Sequence, residues 1–506
     1  MKRLLRKLSV VLVALFLEGL VLLVLSSLVS SHAAILEAIV SLIAVFFALT
    51  IVDAHGETAY ETLWLLLILI FPLPGLILYW LFSKKSILNP LGDQLANSRK
   101  NMPDLCDNRF ERYATLEKQN LRLAETFRYI ENKTGFPTLP AESTDYFSLG
   151  EEMYARMLED LKSAKKYIFV EYFILNHGSM LDSILEILEQ KAKAGVDVRI
   201  LYDDLGSLST FSENDAAILR KKGIKCHAFN PILLIRGTIN NRDHRKILII
   251  DGEIAYSGGI NLADEYINKK MRFKHWKDIG FRIDGAPVKN YVKMFVEFWN
   301  AYTPSRARLS PLDYLSPTRD VAPVKNGFIL SYYDSPFTEA SISNNLYIEL
   351  LSQATKYAWF YTPYLMFGDS LMSAFVRAAE RGIDVRIFMP GVPDKKLVYR
   401  MGRSFYPALL KAGVKIYEYS PGFLHAKASV VDGKVATIGS VNLDYRSLFL
   451  HFENNTIFYK TILIKDLVKD FKETQKLSVE RTENNLKFSR PQKILNILLR
   501  LFAPLC

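Results

Sequence analysis

Two stretches of this 506-residue chain echo each other at an almost constant offset, and a chain that repeats itself over such a span is expected to fold as two like domains. AKKYIFVEYFIL at 164–175 returns as ATKYAWFYTPYL at 354–365, GVDVRILYDD at 195–204 as GIDVRIFMPG at 382–391, and KKGIKCHAF at 221–229 as KAGVKIYEY at 411–419. The offsets, 190, 187 and 190 residues, are far longer than the period of a solenoid. Each half alternates apolar, β-branched runs such as YIFVEYFI, VDVRILY and KILIID with helical patterns such as SILEILEQKAKA. That alternation predicts an α/β chain of two tandem α/β/α sandwich domains, over 136–320 and 321–480, meeting at the loop-like RDVAPVKNG. A polar, helical connector is expected over 84–135.

A further echo carries chemistry. NRDHRKILIIDGEIAYSGGINLADEY in the first half answers GFLHAKASVVDGKVATIGSVNLDYRS in the second, and both contain HxKxxxxD followed by Gly and Asn. The residues are His244, Lys246, Asp251, Gly258 and Asn261, then His425, Lys427, Asp432, Gly439 and Asn442. The chain has eight His, so two matches at equivalent repeat positions are not coincidence. In a strand, residues two apart share a face, so each half offers one imidazole beside one ammonium. The runs after each Lys read as a hairpin whose returning strand brings Asn261 or Asn442, whose amide can donate, back toward the His.

Two such halves facing each other would place two His, two Lys and two Asn around one concavity, the equipment for a phosphodiester. One imidazole would attack phosphorus while the other handles the alcohol's proton. The lysines and asparagines would stabilise charge on the phosphoryl oxygens. No metal and no cofactor is expected, because the ammonium groups supply the positive charge that Mg²⁺ brings elsewhere. A metal site of His244, Asp251, His425 and Asp432 is disfavoured by the interleaved lysines. Asp251 and Asp432 belong to the catalytic motif, yet each stands an odd seven residues from its His, which turns it to the other strand face to hold the turn.

The first 83 residues read differently. Residues 8–30, 34–52 and 62–82 each approach the roughly 20 apolar residues that cross a bilayer, predicting an anchor of two to three transmembrane helices over 1–83. Pro72 and Pro74 predict a bend in the third, and Trp64, Tyr79 and Trp80 suit the interfaces. Lys84 and Lys85 follow that segment while DAHGETAYE precedes it, which places the rest of the chain in the cytoplasm. Three crossings would leave Lys2, Arg3, Arg6 and Lys7 outside, so 8–30 either does not cross, is removed, or has its few charges overridden by the bulk of the chain. The net charge is +11, with −1 over residues 1–83 and hence +12 over the remainder. Beside a membrane anchor, that excess selects the anionic leaflet rather than nucleic acid as partner. Three dispersed cysteines form no disulfide framework, which fits a reducing compartment. At the other end, residues 481–506 form a basic amphipathic tail, with Lys493, Asn496 and Arg500 on one face against Ile494, Leu495, Leu498, Leu499 and Phe502. Such a helix suits a membrane surface or the domain's own surface equally.

The paired motifs resemble those of the phospholipase D superfamily, and the apolar segments with two HxKxxxxD halves resemble the bacterial cardiolipin synthases. HWKDIGFRIDG, YTPYL, GVKIYEYSPGFLHAK and VNLDYRSLFLHFENN extend the resemblance from about residue 62 to the C-terminus. It implies a phosphatidyltransferase of the bacterial cell membrane that converts two phosphatidylglycerols to cardiolipin and glycerol through a phosphatidyl-enzyme. It also implies His244 as nucleophile, His425 as acid and base, and Asp278 and Glu453 as the acids that orient the histidines. A hydrolase of the same superfamily, with water as acceptor, would carry the same residues. A lipid-binding scaffold is opposed by two intact motifs, and the pattern sets no oligomeric state.

Overall fold

In the computed structural model, which describes residues 30–53, 57–83, 90–100, 102–105, 109–232, 239–316, 327–338, 340–486 and 488–505, the β-branched runs are strands. The first half holds β1 (Thr144–Phe147), β2 (Tyr167–Tyr172), β3 (Asp197–Asp203), β4 (Lys225–Phe229), β5 (Lys246–Ile250), β6 (Ile254–Gly258), β7 (His275–Lys277) and β8 (Gly280–Asp284). Its sheet runs β1-β8-β6-β5-β2-β3-β4, with β2, β3 and β4 parallel and the other pairs antiparallel. The second half holds β9 (Phe328–Asp334), β10 (Tyr357–Tyr361), β11 (Asp384–Pro390), β12 (Lys415–Tyr419), β13 (Gly422–Leu424), β14 (Ala428–Val431), β15 (Val435–Gly439), β16 (Glu453–Tyr459) and β17 (Ser478–Arg481). Its sheet runs β9-β16-β15-β14-β10-β11-β12-β17, with Leu139–Pro140 added beside β9. All seven strands of the first order recur in the second, which adds β17 and Leu139–Pro140 at its edges, so the duplication read from the sequence is a duplication of topology.

Alternation along the strands places the core. Ile168, Val170, Leu248 and Ile250 turn to one face, with the helices Gly150–Ser163 and Ser179–Lys193 in the same apolar cluster. Phe169, Ile247 and Ile249 turn to the other, and share a larger cluster with the helix Val288–Ala301 and the second sheet. Both faces of the first sheet are thus covered, which is why its strands read as near-continuous apolar runs. Helices fill much of the segment expected as a helical connector, and Leu123, Phe127 and Ile130, at helical spacing, with Tyr113 and Leu116 before them, lie in that larger cluster. The expected junction near residue 320 lies outside the described residues.

The described residues divide into two compact units, one with those up to Pro90 plus Ile232, Ile239, Asn240 and Leu505, the other with the rest. In the first unit, α1 (Ser30–Asp53) covers the second apolar segment. The third segment is not one helix but two, α2 (Thr58–Ile70) and α3 (Pro72–Phe82). Phe71 leaves helical geometry (φ −128°, ψ 76°) because Pro72 disfavours the α region before it, and Pro72 then starts a new helix. The chain doubles back there, bringing Trp64 against Tyr79 with ring centroids 5.4 Å apart. Gly75 makes this possible, since a Cβ would stand 2.5 Å from the Leu67 carbonyl oxygen. At 1.5 Å per residue, helices of 13 and 11 residues span roughly 20 and 16 Å, short of the roughly 30 Å apolar core of a bilayer. Among the described residues no helix is long and apolar enough to cross a membrane, so the crossings expected of 34–52 and 62–82 are not confirmed. The segment 8–30 lies outside the described residues except for Ser30.

Candidate active site

Each motif begins just before a strand rather than within one: Lys246 opens β5, and Lys427 directly precedes β14. Each histidine's main chain is pinned by the other half. His244 N donates to Phe452 O (2.9 Å), and His425 N donates to Lys277 O (2.7 Å). The second contact follows from β7 and β13, which pair in parallel across the two halves. In both cases the residue after the accepting carbonyl is an acid, and it reaches the histidine. His244 Nδ1 lies 2.9 and 3.0 Å from the Glu453 oxygens, and His425 Nδ1 lies 2.6 Å from Asp278 Oδ2. The acids are therefore crossed, each holding the histidine of the opposite half at Nδ1.

Burial governs the electrostatics. Glu453 and Asp278 are fully buried, and loss of water pushes their carboxyls up to about 8 and about 7, against the pull of Lys246 on the first and Lys427 on the second. Desolvation likewise brings Lys246 down to about 7 and Lys427 down to about 8. Both imidazoles fall well below their usual range, through burial and then through the two ammonium groups; each histidine feels both lysines. Such coupling across the halves means that one site holds all four groups. Lys427 Nζ also lies 2.9 Å from His425 Nδ1.

The remaining motif residues are placed less symmetrically. Asn261 is committed to structure, accepting from Ile174 N (3.1 Å) and donating to the Tyr266 hydroxyl (2.7 Å). Asn442 is buried, and its Oδ1 has no partner among the described residues. Ser440 Oγ donates to Glu453, whereas the equivalent Gly259 leaves room for Asp278, whose Oδ1 would stand 2.1 Å from a Cβ there. Asp251 and Asp432 sit at the far ends of their strands, in left-handed turns (φ 55° and 53°). Asp251 accepts from the amides of Lys165, Lys166 and Tyr167 at 2.7–2.8 Å, and Asp432 from those of Thr355, Lys356 and Tyr357 at 2.7–2.9 Å. They brace the turn away from the histidines. Among the described residues no cluster of acids, His and Cys gathers to hold a metal.

Sequence reading missed the surroundings. Tyr266, Trp276 and Phe423 ring His425 at 5.3–5.6 Å, and Phe173 stands 4.8 Å from His244. Arg242 and Arg245, flanking His244, are fully buried. Arg242 Nε is 3.0 Å from both Asp203 oxygens, and Arg245 pairs with Asp243 and Glu171, clamping the chain that carries the histidine. The charges in RDHRK were a visible signal for that clamp. Tyr364 donates to Asp394 (2.6 Å) and Lys395 Nζ lies 2.7 Å from the same acid, on a loop fastened by Val392 N to Gly422 O.

Two copies of one α/β sheet, each lending a His and a Lys to a common site and an acid to the other's histidine, define a phosphodiester-transfer enzyme of the phospholipase D superfamily. A family profile described as "Cardiolipin synthase, PLD-like domain" matches residues 157–299 and 347–475, and "Phospholipase_D-nuclease N-terminal" matches 39–84. A cardiolipin synthase of Halalkalibacterium halodurans is 34% identical, with 92% of this chain and 93% of that protein covered. One of Alkalihalophilus pseudofirmus is 32% identical, with 93% of each covered. The chain belongs to the cardiolipin synthase family, and its activity is that of a phosphatidyltransferase acting on phospholipid. A phosphatidylserine synthase from Haemophilus influenzae shares the fold, with a TM-score of 0.58 at 16% identity over 76% of this chain and all of that one.

Proposed function

We propose that this chain condenses two phosphatidylglycerol molecules into cardiolipin and glycerol, and the observation that carries the reading is the crossed pair of buried His–acid couples beside two lysines. His244 Nε2 attacks phosphorus of the first lipid, and the bond from phosphorus to the glycerol oxygen breaks. His425, protonated once the anionic phosphodiester lies beside it, gives its proton to the departing glycerol. The second lipid's glycerol hydroxyl then passes its proton to His425 and attacks phosphorus, and the P–N bond breaks to release cardiolipin. Lys246, Lys427 and Asn442 stabilise the charge on the phosphoryl oxygens. Asp278 and Glu453 fix the rings, Asn261 holds the site through Tyr266, and Asp251 and Asp432 hold the hairpin turns. The substrate-facing domains are those of 136–320 and 321–480. The unit preceding them attaches the enzyme to the bacterial cell membrane on the cytoplasmic side, as Lys84, Lys85 and the +12 charge of the remainder favour.

The test is lipid mass spectrometry after incubating the purified protein with phosphatidylglycerol alone. Cardiolipin with equimolar glycerol supports the reading; phosphatidic acid without cardiolipin would replace it with a hydrolase.

A further inference from the structure

The helix near the C-terminus leaves apolar side chains exposed while its Asn496 is buried. α4 (Lys396–Arg403) packs beside α5 (Arg490–Phe502), whose start is fixed by a capping box at Ser489 and by Pro491. A surface helix ordinarily turns its apolar stripe inward. Here the polar Asn496 is inward, 6% exposed, and accepts from Arg400 Nε of α4 (3.4 Å), while the Arg500 guanidinium lies 4.9 Å from the Phe405 ring centre. Ile494, Ile497 and Phe502 face outward at 63, 69 and 43% exposure, and Leu397 at the start of α4 is 57% exposed. A contiguous apolar face of this kind marks a contact surface.

Charge decides what covers it. Neither helix contains an acidic residue, while Lys396, Arg400 and Arg500 are basic, the sequence of α5 adds Arg490 and Lys493, and Arg403 is paired with Glu418 (3.5 Å). A twofold contact between two copies would set that basic face against itself. Apolar side chains amid basic ones match an anionic leaflet, where the chains enter the acyl boundary and the cations meet headgroup phosphates. The face also adjoins the reaction site, because α4 begins directly after Asp394 and Lys395, and their loop is tied to the strand leading into His425.

We infer that α5 and the start of α4 lie in the surface of the anionic leaflet and present the active site to phospholipid headgroups, a second membrane contact independent of residues 1–90. This rests on the phospholipid substrate proposed above. The test uses the full chain with Cys106, Cys226 and Cys506 replaced, reconstituted in vesicles of phosphatidylcholine and phosphatidylglycerol, with a nitroxide at Ile497→Cys or at the exposed control Glu473→Cys. The label at 497 is expected to collide with oxygen in preference to a water-soluble nickel chelate, and the control the reverse. A label at 497 as open to nickel as the control, or shielded from both probes by protein, would overturn the inference. In a second arm, Ile494→Asp with Ile497→Asp is expected to lower turnover of vesicle phosphatidylglycerol about tenfold or more and that of a short-chain monomeric analogue by less than about twofold. Equal losses on both substrates would mean a structural role and sink the inference. If the parent protein makes cardiolipin while 497 sits in water, the docking surface alone is wrong; if 497 sits in lipid but no cardiolipin forms, the substrate reading alone is wrong.

Discussion

Glu453→Gln and Asp278→Asn are expected to fail at different chemical steps, because each acid serves the histidine of the opposite half. When His244 Nε2 bonds to phosphorus, its ring becomes cationic, and the Glu453 carboxylate 2.9 Å from Nδ1 is the counter-charge. A hydrogen bond to a charged group contributes about 1.5–3 kcal/mol, so an isosteric amide is expected to slow phosphatidyl-enzyme formation roughly 10- to 150-fold. Loss of the correct tautomer would add to this. Asp278 at 2.6 Å does the same for His425, but there the affected event is proton donation to the departing alcohol.

The two can be separated by leaving group in a rapid-quench burst. General acid catalysis contributes about 10²–10⁴-fold for an alcohol and almost nothing for a nitrophenol, which departs without a proton. Asp278→Asn is therefore expected to slow the burst with phosphatidylglycerol and to leave the burst with phosphatidyl nitrophenol nearly normal. Glu453→Gln slows both. A nitrophenol burst lost in Asp278→Asn and kept in Glu453→Gln would refute the crossed assignment, since it is the pattern that pairing within each half would give.

Three further outcomes rest on the same geometry. Lys246 and Lys427, brought down to about 7 and about 8, are charged below those values and neutral above. The inhibition constant of tungstate should accordingly be flat below pH about 7, rise by up to about tenfold per unit between about 7 and 8 and more steeply above, and a flat profile to pH 10 would count against both lysines as anion ligands. Arg245→Met leaves the buried Asp243 and Glu171 unpaired, and the denaturation midpoint is expected to report a loss of about 3–5 kcal/mol; a neutral result would mean the clamp does not hold the motif. Asp432→Ala removes the acceptor of three amides and the Thr355 hydroxyl, costing about 1–3 kcal/mol while turnover per folded molecule is kept. Abolished turnover in a folded Asp432→Ala protein would return that residue to the reacting groups.

The duplication, the α/β class and the two His–Lys pairs were legible because they are local or repeated: strand periodicity, an HxKxxxxD spacing, and offsets that agree. The hairpin turn was legible for the same reason, with the odd spacing of Asp251 and Asp432 pointing them away from their histidines. What lay beyond reach depends on contacts between distant positions. Nothing in HWKD or HFENN shows that Asp278 belongs to His425 and Glu453 to His244, because the pairing of β7 with β13 joins positions about 150 residues apart in different halves. The proline pair suggested a bend in 62–82, but the reversal needed Gly75 under Leu67, a contact between turns that hydropathy does not encode. The segment before the first sheet read as a polar helical connector, and its narrow apolar stripe of Leu123, Phe127 and Ile130 did not show that it is buried in the larger core.

The crossed acids also explain why the duplication persists as two unequal halves on one chain. Each histidine takes its main-chain anchor and its counter-charge from the partner half, so neither half alone holds an oriented imidazole. A slide of one sheet past the other would break both His–acid couples together, which ties preorganisation of the site to the interface between the halves rather than to either sheet. Once the couples lie in that interface, the halves need not be identical. Ser440 donates to Glu453 where Gly259 admits Asp278, and Asn442 Oδ1 has no partner among the described residues where Asn261 is bonded at both ends. A reaction with one nucleophile and one acid requires two different imidazole environments, and differences of this size around two similar histidines are enough to supply them.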